Sequence, residues 1–141
     1  MISSNTLNWN AAKSACEALG STLAMIKSQA EQQALGPKLP RRTWIGLHRN
    51  PKEKSQWLWV DGTQATYFAW SNNEPNNVVE ECAEIIPERT WKWNDHVCSY
   101  AANYVCETKG GLKNIMLTVN KNPFYNCVLS DWPFRWKRSP S

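Results

Sequence analysis

The sequence is marked first by what it does not contain. No apolar run of its 141 residues is long enough to cross a membrane. None of its five cysteines forms the C-x-x-C pair of zinc or thioredoxin-like sites. Its body also lacks net charge: Met1 to Lys109 carries 11 Lys+Arg against 11 Asp+Glu, and the formal +4 of the whole chain comes from 5 against 1 in Gly110 to Ser141. A neutral body with a short basic end excludes a nucleic-acid-binding body, whose basic side chains would lie on the folded surface. The opening Met1-Ile2-Ser3-Ser4-Asn5-Thr6 has neither the basic start nor the apolar stretch of a secretory leader. Cysteines in the pattern four plus one nevertheless point to disulfides and an extracellular setting, so a leader has been removed or omitted, or the chain is an incomplete product.

What is present fits a single domain. Hydrophobic residues make up 42% and charged residues 20%, an ordinary globular balance, whereas nine Trp are far above average use. Asn8 is placed to cap a helix in which Trp9, Ala12, Cys16 and Leu19 recur at helical spacing before Gly20 ends it. Ser28 and Glu31 stand in capping-box spacing and open a second, brief helix closed near Leu35-Gly36-Pro37. Beyond Pro40 short runs rich in β-branched and aromatic residues predict strands over 43–47, 56–60, 81–86, 90–93 and 103–107. Helices first and strands afterwards give an α+β domain with antiparallel sheets. Between the second and third strands, Thr63 to Glu80 is a polar and aromatic loop longer than a connection requires, and such loops carry function. The domain is expected to occupy 1–109. The extension 110–141 shows no repeat and no clear element, and reads as a marginally ordered tail with an aromatic and basic end.

Three pieces of this sequence gather hard oxygen donors around one pair of cysteines: Glu74-Pro75-Asn76 in the long loop, Glu80 two residues before Cys82, and Trp93-Asn94-Asp95 three before Cys98. Calcium takes six to eight carboxylate, amide and water oxygens at about 2.3–2.6 Å and tolerates irregular geometry. Glu74, Asn76, Glu80, Asn94 and Asp95 meet that demand with side chains alone, and their three carboxylates would repel one another without a counter-ion.

Taken in order, the helix with Trp9 and Cys16, the Trp44-Ile45-Gly46-Leu47 strand, Trp70, Glu74-Pro75-Asn76, Trp93-Asn94-Asp95, and Cys82, Cys98 and Cys106 resemble the C-type lectin domain over Leu7 to Thr108. The resemblance implies that fold, with two helices, antiparallel sheets and a long calcium-binding loop. It implies disulfides Cys16 with Cys106 and Cys82 with Cys98, leaving Cys127 over. It also implies a cis peptide bond before Pro75, and one Ca²⁺ held by Glu74, Asn76, Glu80, Asn94 and Asp95, the same five residues contacting sugar. Two neighbouring sugar hydroxyls then complete the metal shell, carboxylates accepting from O–H groups and Asn amides donating to the same oxygens. The Glu-Pro-Asn order resembles that of mannose-type members, so glycans offering mannose, N-acetylglucosamine, glucose or fucose are the expected partners, several copies on one scaffold supplying avidity.

Some features depart from the family pattern. Of the positions aligned with an auxiliary calcium site, Asn50, Lys54, Asn77 and Glu81, Lys54 puts a cation where a carboxylate is expected, so that site is expected to be lost or weakened, with Glu53 and Glu81 as remaining donors. The family's N-terminal strand is missing ahead of the first helix, which leaves the 103–107 edge to be covered by Ile115 to Val119 or by another chain. His96 reads as a loop residue beside the sugar site rather than a zinc ligand with His48 and Cys98. Trp57, Trp59 and Trp91 read as core, and Tyr67, Val78 and Val79 as secondary sugar contacts. The competing reading is a lectin-like domain that binds a protein partner without sugar. A glycosidase using Glu80 and Asp95 has carboxylates but no reason to hold them as a separated pair, so the chain reads as no enzyme.

Overall fold

The computed structural model describes residues 1–108, together with the backbone of 125–128 and 135–138. Helix α1 (Trp9–Ala18) starts where Asn8 Oδ1 accepts the Ala11 N–H at 2.9 Å, and it ends at Gly20, whose φ of 68° suits a residue without a Cβ. Trp9, Ala12 and Cys16 form its buried face, but Leu19 is 49% exposed, because the chain leaves helical geometry there. Strand β1 (Ser21–Leu23) follows, and Ser28 Oγ caps α2 (Gln29–Leu35) by accepting from Glu31 N–H. Glu31 reaches back to the Lys27 amide rather than to Ser28, so the capping box is displaced by one residue.

The central sheet has the order β3-β2-β4-β5, from β2 (Thr43–Arg49), β3 (Trp57–Trp59), β4 (Cys82–Ile86) and β5 (Lys92–His96), with β6 (Asn103–Tyr104) parallel to β2. Antiparallel pairing of β4 with β5 sets Ala83 opposite Asp95 and Glu84 opposite Asn94. The expected strand over 90–93 begins late. Pro87 opens a 3-10 turn over Pro87–Arg89, and Thr90 and Trp91 both take left-handed backbone, so Trp91 lies outside any strand. The last expected strand is broken at Val105 into β6 and β7 (Cys106–Thr108), the latter pairing with β1.

No full strand precedes α1 among the described residues, yet the opening residues still occupy the edge in question. Ile2 bridges Val105, Leu7 bridges Ala102, and Ser3 N–H donates to Tyr104 O at 2.8 Å. The edge is therefore covered by 1–7 of the chain itself. Ile115 to Val119 lies outside the described residues. In the extension, β8 (Tyr125–Val128) and β9 (Arg135–Arg138) form a two-stranded antiparallel sheet with Cys127 opposite Trp136, where the sequence shows no clear element.

Both disulfides implied by the resemblance form, Cys16–Cys106 and Cys82–Cys98. The first closes a separation of 90 residues, for which the chain-entropy estimate is roughly 4–5 kcal/mol. The tryptophans account for much of the core, and several of their indole N–H groups find acceptors. Trp9 donates to Ile45 O, Trp44 to Leu7 O, and Trp93 to Gln32 Oε1, at 2.9, 3.0 and 2.8 Å. Gly46 lets two layers meet: a Cβ there would lie 2.8 Å from Leu23 O.

One buried acid works against this core. Glu107 on β7, opposite Thr22, is 1% exposed, and neither of its oxygens is in a properly formed hydrogen bond. Burial pushes its pKa up to about 8, with the Met25 amide pulling weakly the other way. The folded state therefore keeps a proton that the unfolded state has lost once the pH passes the ordinary glutamate value, and stability falls as pH rises toward 8. Glu107→Gln, which mimics the protonated acid, should raise the melting temperature by on the order of 5 °C at pH 8 and by little at pH 5. An equal gain at both pH values in thermal melts would show that the carboxyl does not titrate as described.

Candidate functional site

The long loop is fastened at its start to β5. Trp70 bridges Trp93, and Ser71 donates to Trp93 O through both its backbone N–H at 2.8 Å and its Oγ at 2.9 Å. Glu74 N–H then turns back to Ser71 O, Asn73 takes a φ of 65°, and the Glu74–Pro75 peptide is cis. Glu74 thereby arrives beside Asn94 and Asp95.

Asp95 is fully buried and multiply held. Its Oδ1 accepts from Asn76 N–H at 3.2 Å, and its Oδ2 accepts from Asn77 N–H at 3.2 Å and from Arg49 at 3.0 Å. Asn76 Nδ2 donates to Glu74 Oε1 at 3.3 Å, and Asn94 Nδ2 donates to Glu84 Oε1 at 3.2 Å. Asp95 lies close enough to Glu74 to act on its charge. Burial raises the Glu74 pKa first, Asp95 adds to the rise, and Arg89 opposes it. Glu74 Oε2 is buried with no hydrogen-bond partner. Glu74 and Asn76 line a cleft of about 600 Å³ whose other walls include Trp70, Arg89 and Lys92.

Four of the five sequence-derived donors, Glu74, Asn76, Asn94 and Asp95, thus come together. Glu80 does not join them. Its carbonyl accepts from Arg49 Nε at 3.0 Å, and among the described residues no group of three or more His, Cys, Asp or Glu side chains converges to hold a metal. At the auxiliary positions protein cations take the oxygens. Lys54 pairs with Glu81, while Arg49 donates to Lys54 O at 2.9 Å and to Asn77 O at 3.1 Å. Asn50 turns to Gln56.

Arg49, Glu84 and Arg89 are the contributors that sequence reading missed. Arg49 sits in the strand run just after Trp44-Ile45-Gly46-Leu47, where its length and charge gave no hint of which loop it would reach. Glu84 is a charged residue inside an apolar strand, the one local signal available; it is fully buried, met by Arg42 at 3.4 Å, and its pKa is raised by burial. His96 lies on β5 rather than in a loop. Strand alternation turns it away from the Asp95 side, and it packs on Tyr100 and Trp44 at 4.5 and 6.1 Å between ring centres. His48 and His96 flank Cys82 in register, but Cys82 is joined to Cys98, which leaves no thiolate for zinc. Tyr67 packs edge-on against Trp93, whereas Val78 and Val79 stand 64% and 66% exposed at the loop tip.

Residues 5–108 match the family model of the Lectin C-type domain. The chain is 41% identical to mouse CD209 antigen-like protein A over 106 residues, 71% of this chain and 43% of that protein. It spans between about a quarter and about half of the length of the curated relatives it matches. Among solved structures, the C-type lectin domain of murine dendritic cell inhibitory receptor 2 in complex with N-glycan superposes with a TM-score of 0.70 at 33% identity, covering 75% of this chain and 86% of that one. A calcium-independent type II antifreeze protein superposes with a TM-score of 0.69 at 26% identity, covering 74% and 81%. Fold, disulfides and sequence match agree, and the chain belongs to the C-type lectin domain family, a family of binding rather than enzymatic domains.

Proposed function

We propose that residues 1–109 are an extracellular carbohydrate-recognition domain that holds one Ca²⁺ and binds mannose-type glycans, with 110–141 as an extension beyond it. Calcium does not follow from family membership alone, since a structural neighbour is calcium-independent by name. The reading rests on the residues. One observation carries it: Glu74 Oε2 is buried without a hydrogen-bond partner, on a loop whose next residues Asn76 and Asn77 are held by Asp95. A buried carboxylate oxygen with no partner is an acceptor left for a cation that the chain's own arginines do not supply, and the amide oxygens of Asn76 and Asn94 add neutral hard donors suited to a group 2 cation.

In this reading Glu74, Asn76, Asn94 and Asp95 hold the ion, and Glu80 completes the set from a backbone already tethered by Arg49. Bound calcium supplies a hard centre with coordination positions left open for two neighbouring sugar hydroxyls. Glu74 orients the sugar by accepting from one hydroxyl, and the Asn76 amide donates to the oxygen of the same pair. Exchanging which of the two positions carries the acid would reverse the donor order and select a different hydroxyl pair. Two disulfides are consistent with an oxidising, extracellular compartment. The exposed Val78 and Val79 favour a second reading, an apolar loop tip that seats a protein partner, and binding that survives chelation would point to it.

Calorimetric titration with CaCl₂ near neutral pH should give one site with a Kd of about 10⁻⁴–10⁻³ M, the range of extracellular modules. On that basis mannose resin should retain the protein with calcium and release it on chelation, and galactose resin should pass it. Absence of any heat would remove the calcium reading. The charge-conserving pair Glu74→Gln with Asn76→Asp should keep the calcium affinity within about threefold and move retention from mannose to galactose. Continued mannose preference in the double variant would show that the acid–amide order does not set selectivity.

A further inference from the structure

The turn between β4 and β5 delivers one side chain that the five-donor reading does not use. Arg89 Nη1 lies 3.1 Å from Glu74 Oε1, 3.3 Å from Ser71 Oγ and 3.4 Å from Asn94 Oδ1. A carboxylate and a hydroxyl from one turn of the long loop and an amide oxygen from β5 thus converge on one cationic nitrogen, and two of these oxygens belong to proposed calcium donors. The Arg89 side chain is 46% exposed, whereas that of Glu74 is 6% exposed. The acid is buried in place and the cation comes in from solvent.

The backbone that presents Arg89 is held in a costly shape. Thr90 and Trp91 follow it with φ of 52° and 56°, a left-handed pair that a β-branched and a bulky residue adopt only when their surroundings impose it. The surroundings do so on Trp91: its Nε1 donates to Leu39 O at 3.1 Å and its carbonyl accepts from Gln32 Nε2 at 2.6 Å. A Cβ on Gly36 would come 3.0 Å from Trp91 Cβ, so this ring is also closely packed. With Trp91 fixed, Arg89 is aimed at the cleft by the turn rather than drawn there by charge alone.

We propose that Arg89 is a tethered counter-ion for the metal-free site, a positioning residue that holds the Glu74 and Asn94 oxygens toward one point and must leave as a divalent cation enters. The inference rests on the calcium reading above and adds a built-in competitor to it. Removing the competitor should strengthen calcium binding and weaken the metal-free fold. An exposed ion pair is modest in strength, so the gain in affinity should be about three- to tenfold.

The test compares the full chain with Arg89→Ala, Arg89→Lys and Lys92→Ala by CaCl₂ calorimetry at one ionic strength, together with thermal melts with and without calcium. Lys92 lines the same cleft, so its removal measures the effect of taking away a nearby positive charge. Arg89→Ala is expected to bind calcium about three- to tenfold more tightly, Arg89→Lys to fall between it and the parent, and Lys92→Ala to stay within about twofold. Without metal Arg89→Ala should melt below the parent, and with saturating calcium the two should melt together. Equal affinities for parent and Arg89→Ala, or an equal gain in Lys92→Ala, would overturn the tethered counter-ion while leaving the calcium reading intact. No heat in any of the four proteins would overturn both.

Discussion

A buried ion pair, Arg49 with Asp95, is the contact on which the shape of the long loop depends. Arg49 leaves the end of β2, lies over the Trp57 ring at 4.6 Å from its centroid, and donates to Asp95 at 3.0 Å and to the carbonyls of Glu80, Lys54 and Asn77. One guanidinium thereby joins β5, the 50–55 turn and both limbs of the loop tip. Burying two charges costs several kcal/mol per ion unless the pair is well formed and the remaining donors are used. Here they are used, on three carbonyls that would otherwise need other partners. Removal of either partner would leave a buried charge uncompensated, at about 3–5 kcal/mol, and would also free the loop from its sheet.

The same loop rests on an aromatic floor. Trp93, immediately before Asn94, meets Trp59, Tyr67 and Trp70 with ring centres 5.9, 5.9 and 5.7 Å apart, and Trp70 in turn meets Trp57 and Phe68. Such rings move little once packed, and their edge-to-face contacts contribute beyond the area they bury. The unusual Trp content therefore serves the site as well as the core. Asn94 and Asp95 extend from a strand whose preceding residue is locked, and Ser71 and Glu74 follow a Trp that stacks within the same cluster.

Local signals in the sequence were read correctly where the physics is local. Asn8 and Ser28 cap helices because a short side-chain acceptor two or three residues ahead of free N–H groups is a neighbour-range interaction. The five oxygen donors stood out as residue types beside cysteines, and four of them meet. Glu80 stands out in the same way, by its carboxyl two residues before Cys82, but in the fold it is the Glu80 carbonyl that Arg49 engages, and no group of three acids forms with it among the described residues. Leu19 fitted a helical spacing that Gly20 cut short. Arg49, Glu84 and Arg89 were not visible because their partners lie between 5 and 46 residues away, and an isolated charge carries no sign of what it will face. The covered 102–106 edge was missed for a related reason: single bridges from Ile2 and Leu7 suffice where a strand pattern was sought.

The acids around the loop differ chiefly in how firmly a protein cation holds them. Asp95 is paired with Arg49, whose side chain is 6% exposed, while Glu74 and Glu81 are paired with Arg89 and Lys54, at 46% and 44%. Among the described residues no cation is paired with Glu80. Exposed cations exchange readily with solvent, because water offsets most of what they lose on leaving, whereas Arg49 has no such alternative. A cation arriving from solvent therefore meets an exposed contact, with a buried one behind it. The Arg49 contact keeps Asp95 and the loop backbone in place throughout, and the Arg89 contact is weak enough to yield. The division allows the oxygens of Glu74 and Asn94 to be released without unfastening the loop that carries them.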